Sequence, residues 1–103
     1  FKGFEVMAVG GATALHLAAY KGNLGAVELL LGAGAAPACA RHPLGMTPLH
    51  AAAYAGHHEV CVRLLQAGVP VGARDGTRRT AASWAARRGH AEVAHALSSL
   101  VVR

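Results

Sequence analysis

Seven histidines, two cysteines and five carboxylates are the residues of this 103-residue chain with side chains suited to catalysis or metal binding, and their spacing decides what they can do. Adjacent His57 and His58 cannot turn both rings to one ion on a helix, where ligands must stand three or four residues apart. Cys39 and Cys61 lie far apart with no second pair, so neither a disulfide framework nor a Cys-x-x-Cys redox or metal site can be built. Nucleophilic catalysis needs a base and an orienting acid, yet Asp75 is the only aspartate and Ser83, Ser98 and Ser99 are the only serines. Among Glu5, Glu28, Glu59 and Glu92 no two fall within helical reach of each other for acid–base work. Gly10-Gly11 lacks the Gly-x-x-x-x-Gly-Lys pattern that cradles phosphates. These residues predict no catalytic centre, no metal site and no cofactor.

The histidines instead report a period. His16 and His50 are 34 residues apart, and His57 and His90 are 33 apart. Thr13, Thr47 and Thr80 keep the same intervals, as do Gly22, Gly56 and Gly89. Thr13 opens Thr-Ala-Leu-His-Leu-Ala-Ala-Tyr-Lys-Gly and Thr47 opens Thr-Pro-Leu-His-Ala-Ala-Ala-Tyr-Ala-Gly. The third copy keeps its Thr, its Ala85-Ala86 pair and its closing Gly, but has Ser83 in place of the histidine.

Each unit reads as two short antiparallel helices. Thr47 is suited to an N-cap, with Pro48 at the first helical position, where its missing N–H costs nothing. Gly56 ends that helix in the left-handed region. A second helix from His57 or His58 carries Val60, Cys61, Leu64 and Leu65 inward until Gly68. Ala26, Val27, Leu30 and Leu31 match in the first copy, and Val93, Ala94 and Leu97 in the third. Such helices are too short to stand alone, so they must stack on neighbouring pairs. Ala18-Ala19, Ala52-Ala53 and Ala85-Ala86 would let successive first helices approach closely. This explains why 24 alanines and only five aromatic residues make up so much of the apolar content. Connectors over 35–46 and 69–79 are long enough for a protruding two-armed turn.

At this point the chain resembles the ankyrin repeat family over residues 10–100, through Gly45-Met46-Thr47-Pro48-Leu49-His50, Ala52-Ala53, Gly56-His57, Leu64-Leu65 and Gly68. The resemblance implies an all-α solenoid of stacked helix-turn-helix units with β-hairpin-like fingers. It also implies that His16 and His50 hold backbone groups of the adjoining turns. The expected division is a flank or preceding-repeat tail at 1–9, where Lys2-Gly3-Phe4-Glu5-Val6 has a repeat-like look, then repeats at 10–43, 44–76 and 77–103. The first connector has one residue more than the second, which predicts a longer or bulged finger. Arg78 replaces a turn glycine, and the third copy lacks the Pro and the His. It is therefore expected to be degenerate and the least stable unit.

Family members bind other proteins through finger tips and the exposed face of the first helices. On this chain those positions fall on Tyr20, Lys21, Arg41, His42, Leu44, Met46, Tyr54, Arg74, Asp75, Thr77, Arg79, Arg87 and Arg88. Trp84 aligns with Leu17 and Ala51 and is expected inside the stack. Five arginines and one aspartate fall between residues 74 and 88, whereas Glu28, Glu59 and Glu92 map to the second helices. With a net charge of +5 and a sequence pI of about 10.0, the face is basic and calls for an acidic or acid-flanked protein segment. The same charge fits nucleic acid or another polyanion less well, because aromatic interleaving is sparse. A docking module within a larger enzyme is the other alternative. Cysteine usage points to a reducing intracellular setting, cytoplasmic or nuclear, with Cys61 as a small core hydrophobe and Cys39 as an exposed turn thiol. No apolar run is long enough to span a membrane. The opening Phe1, in place of an initiator Met, leads to the expectation of a piece of a longer chain with further repeats or domains.

Overall fold

The computed structural model describes residues 12–37 and 45–101, which form six helices: α1 (Ala12–Lys21), α2 (Leu24–Gly32), α3 (Pro48–Ala55), α4 (His58–Gln66), α5 (Ala81–Arg87) and α6 (Ala91–Val101). Their ends follow local chemistry. Thr47 caps α3 by accepting the His50 N–H, and Pro48 stands in the first turn. Thr80 does the same for α5 from Ser83 N–H at 3.2 Å, and Asn23 for α2 from Ala26 N–H at 3.0 Å. Gly56 closes α3 at φ 80°. His57 stands at the N-cap of α4 without a side-chain cap bond.

First helices α1, α3 and α5 stack closely in one layer, while α2, α4 and α6 touch one another only lightly. Alanines cause the difference. Ala18, Ala19, Ala52, Ala53 and Ala85 are buried between first helices, where a larger side chain would hold the backbones apart. Ala86 departs from this expectation and is exposed, since no described hairpin covers that side of α5. Leu15, Leu49, Leu64 and Leu97 are almost wholly buried, each stabilising the fold by about 1.5–3 kcal/mol. Of the expected inward residues, Val27, Val60, Cys61, Leu64, Val93 and Leu97 are buried, whereas Ala26, Leu30, Leu31, Leu65 and Ala94 are half-buried at the margin.

Among the described residues no strand forms. The finger over residues 69–80 is a chain of turns, closed by Asp75 N–H to the Arg79 carbonyl at 3.0 Å and Arg78 N–H to the Asp75 carbonyl at 2.9 Å. The first finger's expected bulge, the thiol of Cys39 and the repeat-like segment Lys2-Gly3-Phe4-Glu5-Val6 lie outside the described residues.

Two histidine tethers run from first helices to the following turn. His16 Nε2 donates to the Met46 carbonyl, and His50 Nε2 donates to the Arg79 carbonyl at 2.9 Å. The ring of His50 is fixed in one tautomer, because its Nδ1 accepts the Thr47 N–H at 3.1 Å. Burial pushes its pKa down from the ordinary histidine value, outweighing the Arg79 carbonyl bond and the nearby Asp75 charge, which favour protonation. The folded state therefore refuses a proton that the unfolded chain accepts below about pH 6.5. The stability that comes from neutral His50 is fully present above that pH and is lost as pH falls through the depressed folded value. Urea midpoints measured from pH 7.5 to 5 should decline, and His50→Gln should flatten part of that slope while lowering the whole curve. An unchanged slope in the variant would rule out this assignment.

Arg78 takes the left-handed conformation itself, at φ 68° against 72° for Gly45 one unit earlier. A non-glycine residue there is strained by about 1–2 kcal/mol, partly offset by the greater unfolded-state entropy of glycine. Arg78→Gly should raise stability by a net amount of about 0.5–1 kcal/mol in urea denaturation. A loss of stability would show that the Arg78 side chain supports the finger.

Candidate partner-binding face

The close stacking of α1, α3 and α5 brings their C-terminal ends into a row. Tyr20 and Tyr54, near those ends, and Trp84, one turn earlier in α5, lie side by side, with ring centroids 6.2 Å apart for the two tyrosines and 5.4 Å apart for Tyr54 and Trp84. The planes meet at 37° and 59°, and the steeper Tyr54–Trp84 pair comes nearer the edge-to-face arrangement in which ring edge and ring face attract. Guanidinium groups lie over two of these rings, Trp84 and Tyr54. Arg79 from the finger sits 5.2 Å from the centre of Trp84, Arg87 of α5 sits 6.0 Å from it, and Arg88 sits 4.6 Å from the centre of Tyr54. Such contacts are worth about 0.5–1 kcal/mol each at an exposed site.

Histidines of the following hairpin hold the backbone beneath the two tyrosines of this row. His57 Nε2 donates to the Tyr20 carbonyl and His90 Nε2 to the Tyr54 carbonyl, both at 3.0 Å. Each ring lies over the glycine that closes the preceding first helix. A Cβ at Gly22 would lie 2.5 Å from His57 Nδ1, and one at Gly56 would lie 2.6 Å from His90 Nδ1. The Gly-His pairs were legible as repeats, but their contacts span 37 and 36 residues and follow from no local rule.

The remaining expected contact residues divide. Lys21, Arg74, Thr77, Arg87 and Arg88 are exposed, Tyr20 is half exposed, and Tyr54 and Arg79 are half-buried under their neighbours. Arg41, His42 and Leu44 lie outside the described residues. Two residues need correction. Met46 is buried, because the base of the finger turns its side chain inward while its carbonyl takes the His16 bond. Asp75 is also buried, and its carboxylate is turned into the finger. Its Oδ1 accepts from Thr77 N–H at 2.8 Å, Thr77 Oγ1–H at 2.6 Å and Arg79 N–H at 3.1 Å, and its Oδ2 accepts from Trp84 Nε1–H at 2.6 Å. Burial alone would raise this carboxyl's pKa, but the bonds from Thr77, Trp84 and Arg79 hold it well below the usual carboxylate range.

Trp84 corrects a third expectation. It is half-buried, not enclosed, as are Leu17 and Ala51 at the equivalent places. A small side chain there stays within the layer, whereas an indole reaches the surface and joins the row.

Charge separates by layer. Glu28, Glu59 and Glu92 are exposed on α2, α4 and α6. There Arg63 Nε meets Glu28 at 2.8 Å, a surface pair worth about 0–1 kcal/mol. Among the described residues, no carboxylate lies within ion-pair distance of Arg74, Arg79, Arg87 or Arg88. Between α4 and α6, the cleft lined by Cys61, Val62, Leu65 and Leu97 holds only about 40 Å³, room for little more than water. Burial pushes the Cys61 thiol up to about 12, which leaves it unreactive. No group of three or more His, Cys, Asp or Glu is placed to hold a metal among the described residues.

Stacked helical hairpins with a first-helix face studded by exposed side chains define a helical repeat solenoid. A family model for ankyrin repeats, in three copies, matches residues 15–101, and the chain belongs to the ankyrin repeat family. Members of this family are in general noncatalytic modules that bind other proteins. No curated protein matches the chain. No helix among the described residues is long and apolar enough to cross a membrane.

Proposed function

We propose that this chain is a noncatalytic interaction module, with repeats at 10–43, 44–76 and 77–103, that binds an acidic, extended segment of another protein along its first-helix face. The carrying observation is the row Tyr20–Tyr54–Trp84 overlain by Arg79, Arg87 and Arg88, which have no carboxylate partner among the described residues. Rigid aromatic surface and guanidinium forks are the combination that concentrates binding energy at interfaces. Tyr20, Lys21, Tyr54, Arg74, Thr77, Arg79, Arg87 and Arg88 supply the surface and Trp84 joins them, while Arg41, His42 and Leu44 are assigned to it from their sequence positions alone. An intracellular, cytoplasmic or nuclear setting suits the free thiol of Cys61.

Nucleic acid is the second reading, favoured only by the charge. Bases stack on open aromatic faces, and guanidinium groups already lie over Trp84 and Tyr54. A ten-residue glutamate peptide should therefore bind more tightly than a ten-residue oligothymidylate at 0.15 M salt. The reverse order, with a steep logarithmic salt slope for the oligonucleotide, would transfer the assignment to polyanion binding.

A further inference from the structure

Arginine side chains on an open surface sample many rotamers, and an anion that captures them must order them first. Arg79 and Arg87 are different, because both lie over the ring of Trp84, at 5.2 and 6.0 Å from its centre. That ring is itself held. Its N–H donates to Asp75 Oδ2 at 2.6 Å, and Asp75 is locked in place by three further donors, one of them the backbone N–H of Arg79. A buried carboxylate in the finger thus fixes both the backbone of one arginine and the ring that carries two. Neither Leu17 nor Ala51, at the matching places in the first two units, has a side-chain N–H to take part in such an arrangement.

We propose that Trp84, pinned by Asp75, is the platform that orients Arg79 and Arg87, and that this pair seats a carboxylate side chain of the partner segment. The proposal rests on the reading of the first-helix face as an acid-binding surface and places the anion at the Trp84 end of the aromatic row. Asp75 is a positioning residue: its oxygens are engaged by Thr77, Arg79 and Trp84, and it acts through the indole. Both guanidinium carbons lie within about 6 Å of the same ring centre, and the N–H groups of such a pair suit the two oxygens of a carboxylate. Side chains two apart on an extended chain are separated by about 6.6–6.8 Å. This is close to the 6.2 and 5.4 Å steps of the row, so alternate residues of one segment meet successive rings.

Trp84 is the chain's only tryptophan, and its emission therefore reads the site directly. Wild-type protein is titrated with a ten-residue glutamate peptide at low ionic strength, with a glutamine peptide as control. Saturable change in Trp84 emission is expected with glutamate alone. Asp75→Asn should red-shift Trp84 emission and lower its anisotropy before any peptide is added, with helical circular dichroism unchanged. Calorimetry should show peptide affinity down about tenfold in Asp75→Asn and in Trp84→Phe, and no further in the double variant, because both break one hydrogen bond. Trp84→Phe leaves the finger's own bonds to Asp75 in place and decides the matter if Asp75→Asn does not fold. Wild-type affinity in Trp84→Phe would overturn the platform while leaving the acid-binding face standing. Failure of the wild-type protein to bind the glutamate peptide would overturn both.

Discussion

Gly56→Ala is expected to cost about 2–3 kcal/mol of stability, and the same substitution at Gly89 only about 1 kcal/mol. Both glycines close a first helix, at φ 80° and 82°, so both variants carry the left-handed penalty of a Cβ. Their surroundings separate them. At Gly56 the new methyl would stand 2.6 Å from the His90 ring, and at Gly89 it meets nothing within 4 Å. Relieving that clash must swing His90 away, which breaks its bond to the Tyr54 carbonyl and leaves a half-buried acceptor unpaired. The loss also reaches the binding face, because that carbonyl anchors the backbone under the Tyr54 ring. Urea denaturation of the two variants measures the difference, and equal losses would show that the His90 contact contributes nothing.

Local chemistry made most of the fold legible. Thr47-Pro48 marks a helix start by its own capping geometry, and Gly56 marks an end by its backbone freedom, so the hairpins could be placed within a residue or two. A repeat then transfers each placement to the other units. What the repeat cannot transfer is the consequence of a changed side chain. Trp84 occupies the register of Leu17 and Ala51, and its exposure depends on the length of the indole and on Asp75 nine residues earlier. Asp75 stands at a finger position where an exposed acid is the ordinary reading. Its burial follows from the donors that converge on it, three of them in a turn that composition does not define. His57 and His90 were visible as recurrences, but their acceptors lie one repeat back. Ala86 matched Ala19 and Ala53 by letter, yet its burial depends on a following hairpin.

Reversing the two arginines over Trp84 tests the electrostatic side of the site most severely. Arg79→Glu with Arg87→Glu takes the formal charge from +5 to +1, a change of four units, and concentrates it at one end of the aromatic row. Long-range attraction between this face and an acidic segment accelerates encounter before any contact forms. At 0.01 M salt the Debye length is about 30 Å, so the whole peptide experiences the reversal, whereas at 1 M it is about 3 Å and only touching charges count. Stopped-flow measurement of Trp84 emission with the glutamate peptide should show association slowed roughly 10–100-fold at low salt, and the ratio should collapse towards unity as salt rises. Net charge alone cannot imitate this if the charge is placed elsewhere. Gln66→Glu with Ser98→Glu puts two new carboxylates on exposed positions of α4 and α6, in the other layer, and should slow association far less. Losses in proportion to net charge in both double variants would mean that the peptide responds to the protein's overall field and that Arg79 and Arg87 form no particular seat for it.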